Sequence, residues 1–216
     1  SAAVFSPDGE MVLTIQADGP ALLWSTRDQR EILRPGGGNI ATAAAISSDN
    51  GLLAVADSEG LITVWRIPDQ GPAIAPIQVG RSINDLAFSP DGARLLVGSG
   101  TPNTIPRNPG RAAIWSTTTG ELLLPGRVHD SPVIIVEFSP DGRQFVTAQA
   151  GIGEIGRARI WNPETGMQVG ATLEQGSAIR TTTFSPDGSR VLTCSENATA
   201  RVWDADTGKP VTPPLR

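Results

Sequence analysis

One histidine, one cysteine and no tyrosine leave this 216-residue chain little with which to make or break bonds. His129 has no second imidazole with which to share a metal, and no Gly-x-Ser-x-Gly elbow supplies it with a nucleophile. Cys194 stands alone, which excludes an internal disulfide, and its apolar surroundings in the sequence read as a buried, inert thiol. Gly151-Ile-Gly153-Glu-Ile-Gly156 spells a dinucleotide fingerprint. That fingerprint needs a helix N-terminus for the pyrophosphate, and Arg157-Ala-Arg-Ile-Trp161 reads as a strand, so the run is a turn. Asn197-Ala198-Thr199 matches a glycosylation acceptor by chance, at a tight turn. No residue set calls for a cofactor or a metal. What remains is recognition chemistry: Arg107, Arg111 and Arg157 could pair bidentately with carboxylates or phosphates of a partner.

The elements that must carry those arginines repeat. Phe5, Ile46, Phe88, Phe138 and Phe184 each run into a Ser-Pro-Asp-Gly-like turn, and each turn is followed by one tryptophan: Trp24, Trp65, Trp115, Trp161 and Trp203. Proline presets the first central position of such a turn, and glycine accepts the left-handed backbone after it. In the last repeat, Ile179 to Phe184 reads as a strand and Val191 to Cys194 as its return. Thr199 to Trp203 makes a third, and Asp206-Thr207-Gly208 turns the chain into a fourth at Pro210-Val211-Thr212. Four strands joined by tight turns form one antiparallel blade. Ser47-Ser48-Asp49-Asn50 is a worn copy of the first turn, whose asparagine still reaches the left-handed region. A period of 41 to 50 residues with several strands in each repeat predicts an all-β propeller of five blades. These fall at about 1–36, 37–80, 81–127, 128–174 and 175–216.

Runs such as Val133-Ile-Ile-Val136 and Leu61-Ile-Thr-Val64 are apolar on both faces, which suits sheets stacked face to face. A lone blade cannot bury such faces, so its neighbours must. Each tryptophan is expected in a seam between blades. The spacing from the residue before the turn to the tryptophan is 19, 19, 27, 23 and 19 residues. Blades three and four therefore carry insertions, both between the second and third strands.

Phe184-Ser-Pro-Asp-Gly, Ala200-Arg-Val-Trp-Asp204 and Asp206-Thr-Gly208 resemble the WD-repeat β-propeller family, and the resemblance covers the whole chain. The family's blades are often pinned by a histidine, a hydroxyl, an aspartate and the tryptophan. Here the histidine register reads Gly37, Val79, His129 and Gln175, and the hydroxyl register Thr14, Val55, Val97, Thr147 and Thr193. The acidic register reads Asp18, Glu59, Pro109, Ile155 and Asn197, so no blade carries the full set, and stability is expected to rest on apolar stacking. Such degenerate repeats look like those of bacterial arrays, commonly fused to signalling kinases.

The resemblance implies that second-to-third-strand turns and inter-blade connections share one rim, commonly the partner-binding side. The inserted loops Thr101–Arg111 and Gly151–Arg157 would meet there, with His129 opening beside them. Asn103, Arg107, Asn108, Arg111, His129, Glu154 and Arg157 are the candidate contacts for a protein or peptide. The expected function is a non-enzymatic interaction scaffold. The rival readings are an enzyme-associated ring, with Asp85 and Glu137 as channel acids, and a spacer or sensor segment of a signalling kinase.

A formal charge of −5 argues against non-specific nucleic-acid binding. No apolar run reaches membrane-spanning length and no basic-then-apolar leader opens the sequence, so a cytoplasmic segment without membrane insertion is expected. Only Ala2-Ala3-Val4 precede Phe5, and the sequence stops after Pro210 begins a strand. Further repeats, or another chain, are therefore expected to complete a larger ring.

Overall fold

The computed structural model describes residues 2–35, 39–80, 82–101, 109–149 and 155–215. Its local unit is the Ser-Pro-Asp-Gly turn. In the fifth copy, Ser185 Oγ donates to Asp187 Oδ1 at 2.6 Å, and that oxygen accepts the Ser189 N–H at 3.0 Å. Ser185 Oγ in turn accepts the Arg190 N–H at 3.0 Å, so one hydroxyl and one carboxylate satisfy most of the turn. These bonds stabilise the anion and hold Asp187 at a pKa of about 2. Asn50 takes the glycine's place at φ 60°, as its short polar side chain allows.

Each turn joins two strands of an antiparallel sheet. Blade one orders β1 (Ala2–Phe5), β2 (Met11–Ile15), β3 (Ala21–Ser25) and β4 (Glu31–Leu33). Blade two orders β5 (Ala41–Ile46), β6 (Leu52–Asp57) and β7 (Leu61–Arg66), with an outer strand in two pieces, β8 (Gly71–Pro72) and β9 (Ile77–Gln78), both paired to β7. Blade three orders β10 (Ile83–Phe88), β11 (Arg94–Ser99), β12 (Gly110–Ser116) and β13 (Leu122–His129). Blade four follows with β14 (Val133–Phe138), β15 (Phe145–Gln149), β16 (Gly156–Trp161) and β17 (Gln168–Gln175). Blade five has β18 (Ile179–Phe184), β19 (Arg190–Ser195) and β20 (Ala200–Asp204). Its fourth strand, expected from Pro210, forms only the isolated bridges Trp203↔Pro210 and Ala200↔Leu215. Pro213 and Pro214 lie between those bridges, and proline has no N–H to give to a ladder.

The blades stack as a fan. β10 lies against both β5 and β14, and β14 against β18, so the first strands run along the inner side. Between adjacent blades lie four apolar cores. Leu13 and Leu23 meet Leu53 and Val55; Ala54 and Val64 meet Leu95 and Val97; Leu96 and Ile114 meet Phe145 and Trp161; Val146 and Ile160 meet Val191 and Trp203. Each fully buried Leu, Ile or Phe contributes about 1.5–3 kcal/mol, which makes these seams the main source of stability. Five blades thus share four seams, and the outer faces of blades one and five are uncovered among the described residues. Phe5 is 69% exposed on the first. Leu192 and Val202 are half-buried on the last, as is Cys194, which was expected to be buried.

Two devices tie blade to blade at the rim that carries the Ser-Pro-Asp-Gly turns. A Cβ at Gly142 would sit 3.3 Å from Pro90 Cδ, and one at Gly188 3.8 Å from Pro140 Cδ. The prolines of the third and fourth turns therefore rest on the glycines of the fourth and fifth. Further out, Ala171 N donates to Thr207 O at 2.9 Å, which brings the edge of β17 onto the Thr-Gly turn of blade five. Gly208 packs so close to the Ala171 backbone that a side chain there is excluded.

Candidate interaction rim

The meander sends second-to-third-strand turns and inter-blade connections to the end opposite the Ser-Pro-Asp-Gly turns. Both insertions leave this end: 100–109 lies between β11 and β12, and 150–155 between β15 and β16. Each ends on a glycine whose N–H reaches the connection to the following blade. Gly110 N donates to Ser131 O at 3.2 Å and Gly156 N to Ser177 O at 3.1 Å, and a Cβ at either position would collide with that connection. The run Gly151–Gly156 leads into a strand, β16, so no helix N-terminus stands there for a pyrophosphate. Among the expected contacts, Asn103, Arg107, Asn108 and Glu154 lie outside the described residues.

Arg111 and Arg157 hold equivalent places, each as the second residue of its blade's third strand. Arg157 Nε donates to Glu174 Oε1 at 3.2 Å in β17. The side chain of Arg111 is exposed and meets no carboxylate among the described residues. Ser99 Oγ donates to its backbone carbonyl at 3.2 Å.

His129 does not open on the rim as expected. It is 1% exposed and lies edge-on to Trp161, with ring centroids 5.4 Å apart. Arg159 Nη1 sits 3.0 Å from Nδ1 and can only donate, so Nδ1 accepts and Nε2 carries the proton. That Nε2 is buried without a partner. Burial, and then the Arg159 charge, push the imidazole down to a pKa of about 4, with Asp130 opposing. His129 therefore fills the blade three–four seam as a neutral ring.

The hydroxyl register is visible atom by atom. Trp24 Nε1 donates to Thr14 Oγ1 at 3.0 Å, Trp161 Nε1 to Thr147 Oγ1 at 2.9 Å and Trp203 Nε1 to Thr193 Oγ1 at 2.8 Å. Where the register holds Val55 and Val97, the indole N–H groups of Trp65 and Trp115 are buried without acceptors. Blade five corrects the expectation of missing networks. Thr193 Oγ1 passes its proton to Gln175 Oε1 at 3.1 Å. Gln175 Nε2 donates to Ser195 Oγ at 3.2 Å and Thr199 Oγ1 at 3.1 Å, and Ser195 Oγ donates to Asn197 Oδ1 at 2.7 Å. A glutamine fills the histidine's place and an asparagine the aspartate's. Gln175 and Asn197 depart from the histidine and aspartate of the register, yet their amides can both donate and accept, and that is the sequence signal for this relay.

The two carboxylates considered as channel acids reach across to the next blade. Asp85 accepts the Leu86 N–H at 2.9 Å and, from blade four, the Val136 N–H at 2.8 Å; burial pushes it up to about 6. Glu137 accepts the Thr183 hydroxyl of blade five at 3.0 Å and is raised by burial, with the Asp85 charge adding to it. Among the described residues no group of three or more His, Cys, Asp or Glu side chains could hold a metal ion. A cleft of about 460 Å³ between the turns of blades three and four is lined by Asp91, Arg94, Asp141, Arg143 and Glu164. Four of these five charges pair within it, Arg94 with Glu164 and Arg143 with Asp141, and Asp91 accepts from Ser89 Oγ and the Ala93 N–H. No helix among the described residues is long and apolar enough to cross a membrane.

Residues 76–102 and 168–204 match the family described as WD domain, G-beta repeat. Both of these segments are WD repeats. The four-stranded antiparallel blades are those of that family's propeller. An uncharacterized WD repeat-containing protein of Synechocystis is 30% identical over 148 residues, 68% of this chain and 40% of that protein. The periodic tryptophan protein 2 homolog of Dictyostelium discoideum is 29% identical over 112 residues, 51% of this chain and 11% of the relative. Apoptotic protease-activating factor 1 of Rattus norvegicus is 29% identical over 66% of this chain and 11% of its own length. The WD-repeat chain thus spans well under half of each of these relatives.

Proposed function

We propose that the chain is a non-enzymatic recognition module whose contact surface is the rim carrying the insertions of blades three and four. One observation carries the reading. The two repeats that gained residues are neighbours, and both gained them at the same end of the fan, beside an exposed Arg111 that meets no carboxylate among the described residues. Insertions spread by chance would have no reason to share a rim. An arginine already placed, and facing Val128 where blade four has Glu174, loses little in binding a carboxylate, because no cross-strand pair must first be broken. The test is capture of protein partners by the chain and by its Arg107→Ala, Arg111→Ala, Arg157→Ala triple variant. Loss of the captured set is expected; capture identical to the parent's refutes the rim.

A second reading has its own observation, the five blades with four seams. We infer that the open faces of blades one and five are covered in the working protein by further blades, from a longer chain or from another one. Phe5, Val12 and Trp24 on one face and Leu192, Cys194 and Val202 on the other form the two halves of such a seam. Sedimentation of the 216-residue chain should show concentration-dependent association through these faces. A strictly monomeric species at high concentration argues against it.

A further inference from the structure

Within this molecule, blade four is an internal control for blade three. Arg157 in β16 faces Glu174 in β17, and the pair is closed by a hydrogen bond of 3.2 Å. Arg111 in β12 faces Val128 in β13 at the equivalent place, so the acid is missing and a 60% exposed apolar side chain stands there instead. The stem of Arg111 has a shelf. A Cβ at Gly126 would lie 3.1 Å from its Cβ, 3.2 Å from its Cδ and 3.4 Å from its Cγ, so the chain rests on the backbone of β13 with its guanidinium in solvent.

The two outer strands differ as well. β17 is capped by blade five where Ala171 N donates to Thr207 O at 2.9 Å. β13 is the last strand of its sheet, which leaves the backbone groups of its outer side without a ladder partner. Leu123, on the same strand, is 52% exposed. Pro125 has no N–H, so a regular ladder on this edge is confined to Gly126–His129, beside Arg111 and Val128.

We propose that the open edge of β13 takes an extended segment of a partner protein by strand addition, with a carboxylate of that segment on Arg111 and an apolar side chain on Val128. The partner's acid would do across the interface what Glu174 does inside blade four. Main-chain bonds to the edge supply affinity, and the Arg111–Val128 pair selects an acidic-then-apolar sequence. The proposal deepens the rim reading and shares only Arg111 with it.

The probe is a fluorescent octapeptide, Thr-Val-Thr-Glu-Val-Thr-Val-Thr, with counterparts carrying Gln or Lys in place of Glu, titrated by anisotropy against the full chain. The Glu peptide is expected to bind about tenfold tighter than the Lys peptide at low salt. It should slow amide exchange at Gly126–His129. Arg111→Glu should invert the preference, and Arg27→Ala on blade one should leave it unchanged; both side chains are solvent-facing, so the variants fold. Equal affinity for the three peptides, protection elsewhere, or no binding by about 1 mM overturns the proposal. So does self-association of the chain that Arg111→Glu abolishes, because a second copy then occupies the edge. Loss of the rim while these peptides still bind would leave this inference standing alone. An intact rim with no peptide binding would do the reverse.

Discussion

Trp203 in blade five and Trp115 in blade three end equivalent strands and pack into equivalent seams, yet only one has a partner for its indole N–H. In blade five, Thr193 accepts from Trp203 and donates to Gln175, which passes the chain of bonds to Ser195 and Thr199. In blade three the same position is Val97, and Trp115 Nε1 is left buried and unpaired. Both seams are otherwise apolar, with Leu95 and Val97 in one and Val191 and Ile160 in the other. The difference teaches that apolar burial builds the stack, while a polar relay decides which blades are further locked. A relay half removed costs more than one never present.

The largest effect should come from breaking the complete relay at its centre. Thr193→Val leaves both the Trp203 N–H and the Gln175 carbonyl oxygen buried without their partner, an expected loss of roughly 2–4 kcal/mol. Urea unfolding measures it; a loss below about 1 kcal/mol would dissolve the contrast between the blades.

Next in size is a pH effect at the seam between blades three and four. His129 is held at a pKa of about 4, against 6.5 unfolded. Its contribution is complete above pH 6.5 and is lost as pH falls toward 4, roughly 3 kcal/mol in all. Asp85, raised to about 6, has the opposite sign: its contribution is full below pH 3.8 and is lost as pH rises through 6. His129→Gln, which copies Gln175 at the seam between blades four and five, should flatten the acid limb between pH 6.5 and 4 and leave the Asp85 limb in place. Urea midpoints across that range decide it, and an unchanged acid limb would remove His129 from the account.

The converse substitution should be milder. Val97→Thr gives Trp115 an acceptor, and its own hydroxyl can bond the Ala113 carbonyl, as Thr147 bonds the Arg159 carbonyl at 3.4 Å. The expected gain is about 1 kcal/mol, read as a raised urea midpoint; a loss would mean that seam cannot admit a hydroxyl. Smallest of all is Arg157→Ala. Its pair with Glu174 is largely solvent-exposed, so the stability change should stay below about 0.5 kcal/mol. A larger change would mean that this arginine braces the blade and is not a surface contact.

Much of the fold was legible in the chain itself. The strand Ile179–Phe184, the turn after it and the strand ending at Trp203 lie where their residues indicate, because tight turns are dictated by local φ preferences. The threonines at 14, 147 and 193 stand in the family's hydroxyl register and meet their indoles as the resemblance implies. The burial of His129 was not legible, since its depth depends on Trp161 and Arg159, which lie in the next blade. The relay through Gln175 was not legible in the register, because amides at 175 and 197 replace the histidine and aspartate that mark it. The Arg111–Val128 pairing depends on a cross-strand register that shifts twice along β12 and β13, and no spacing rule announces such a shift.

By itself the amino-acid sequence determined the repeat, the turn chemistry, the all-β class and the poverty of catalytic groups. Each of these depends on residues near one another along the chain, or on how few of a residue type there are. Tertiary structure alone decided which indoles are satisfied, that His129 faces inward, and that five blades enclose four seams. It also decided that β13 has an open edge where β17 is capped. Those outcomes depend on which blade meets which, a matter of contacts between residues dozens of positions apart, where a backbone approach such as Gly208 on Ala171 leaves no mark on local composition.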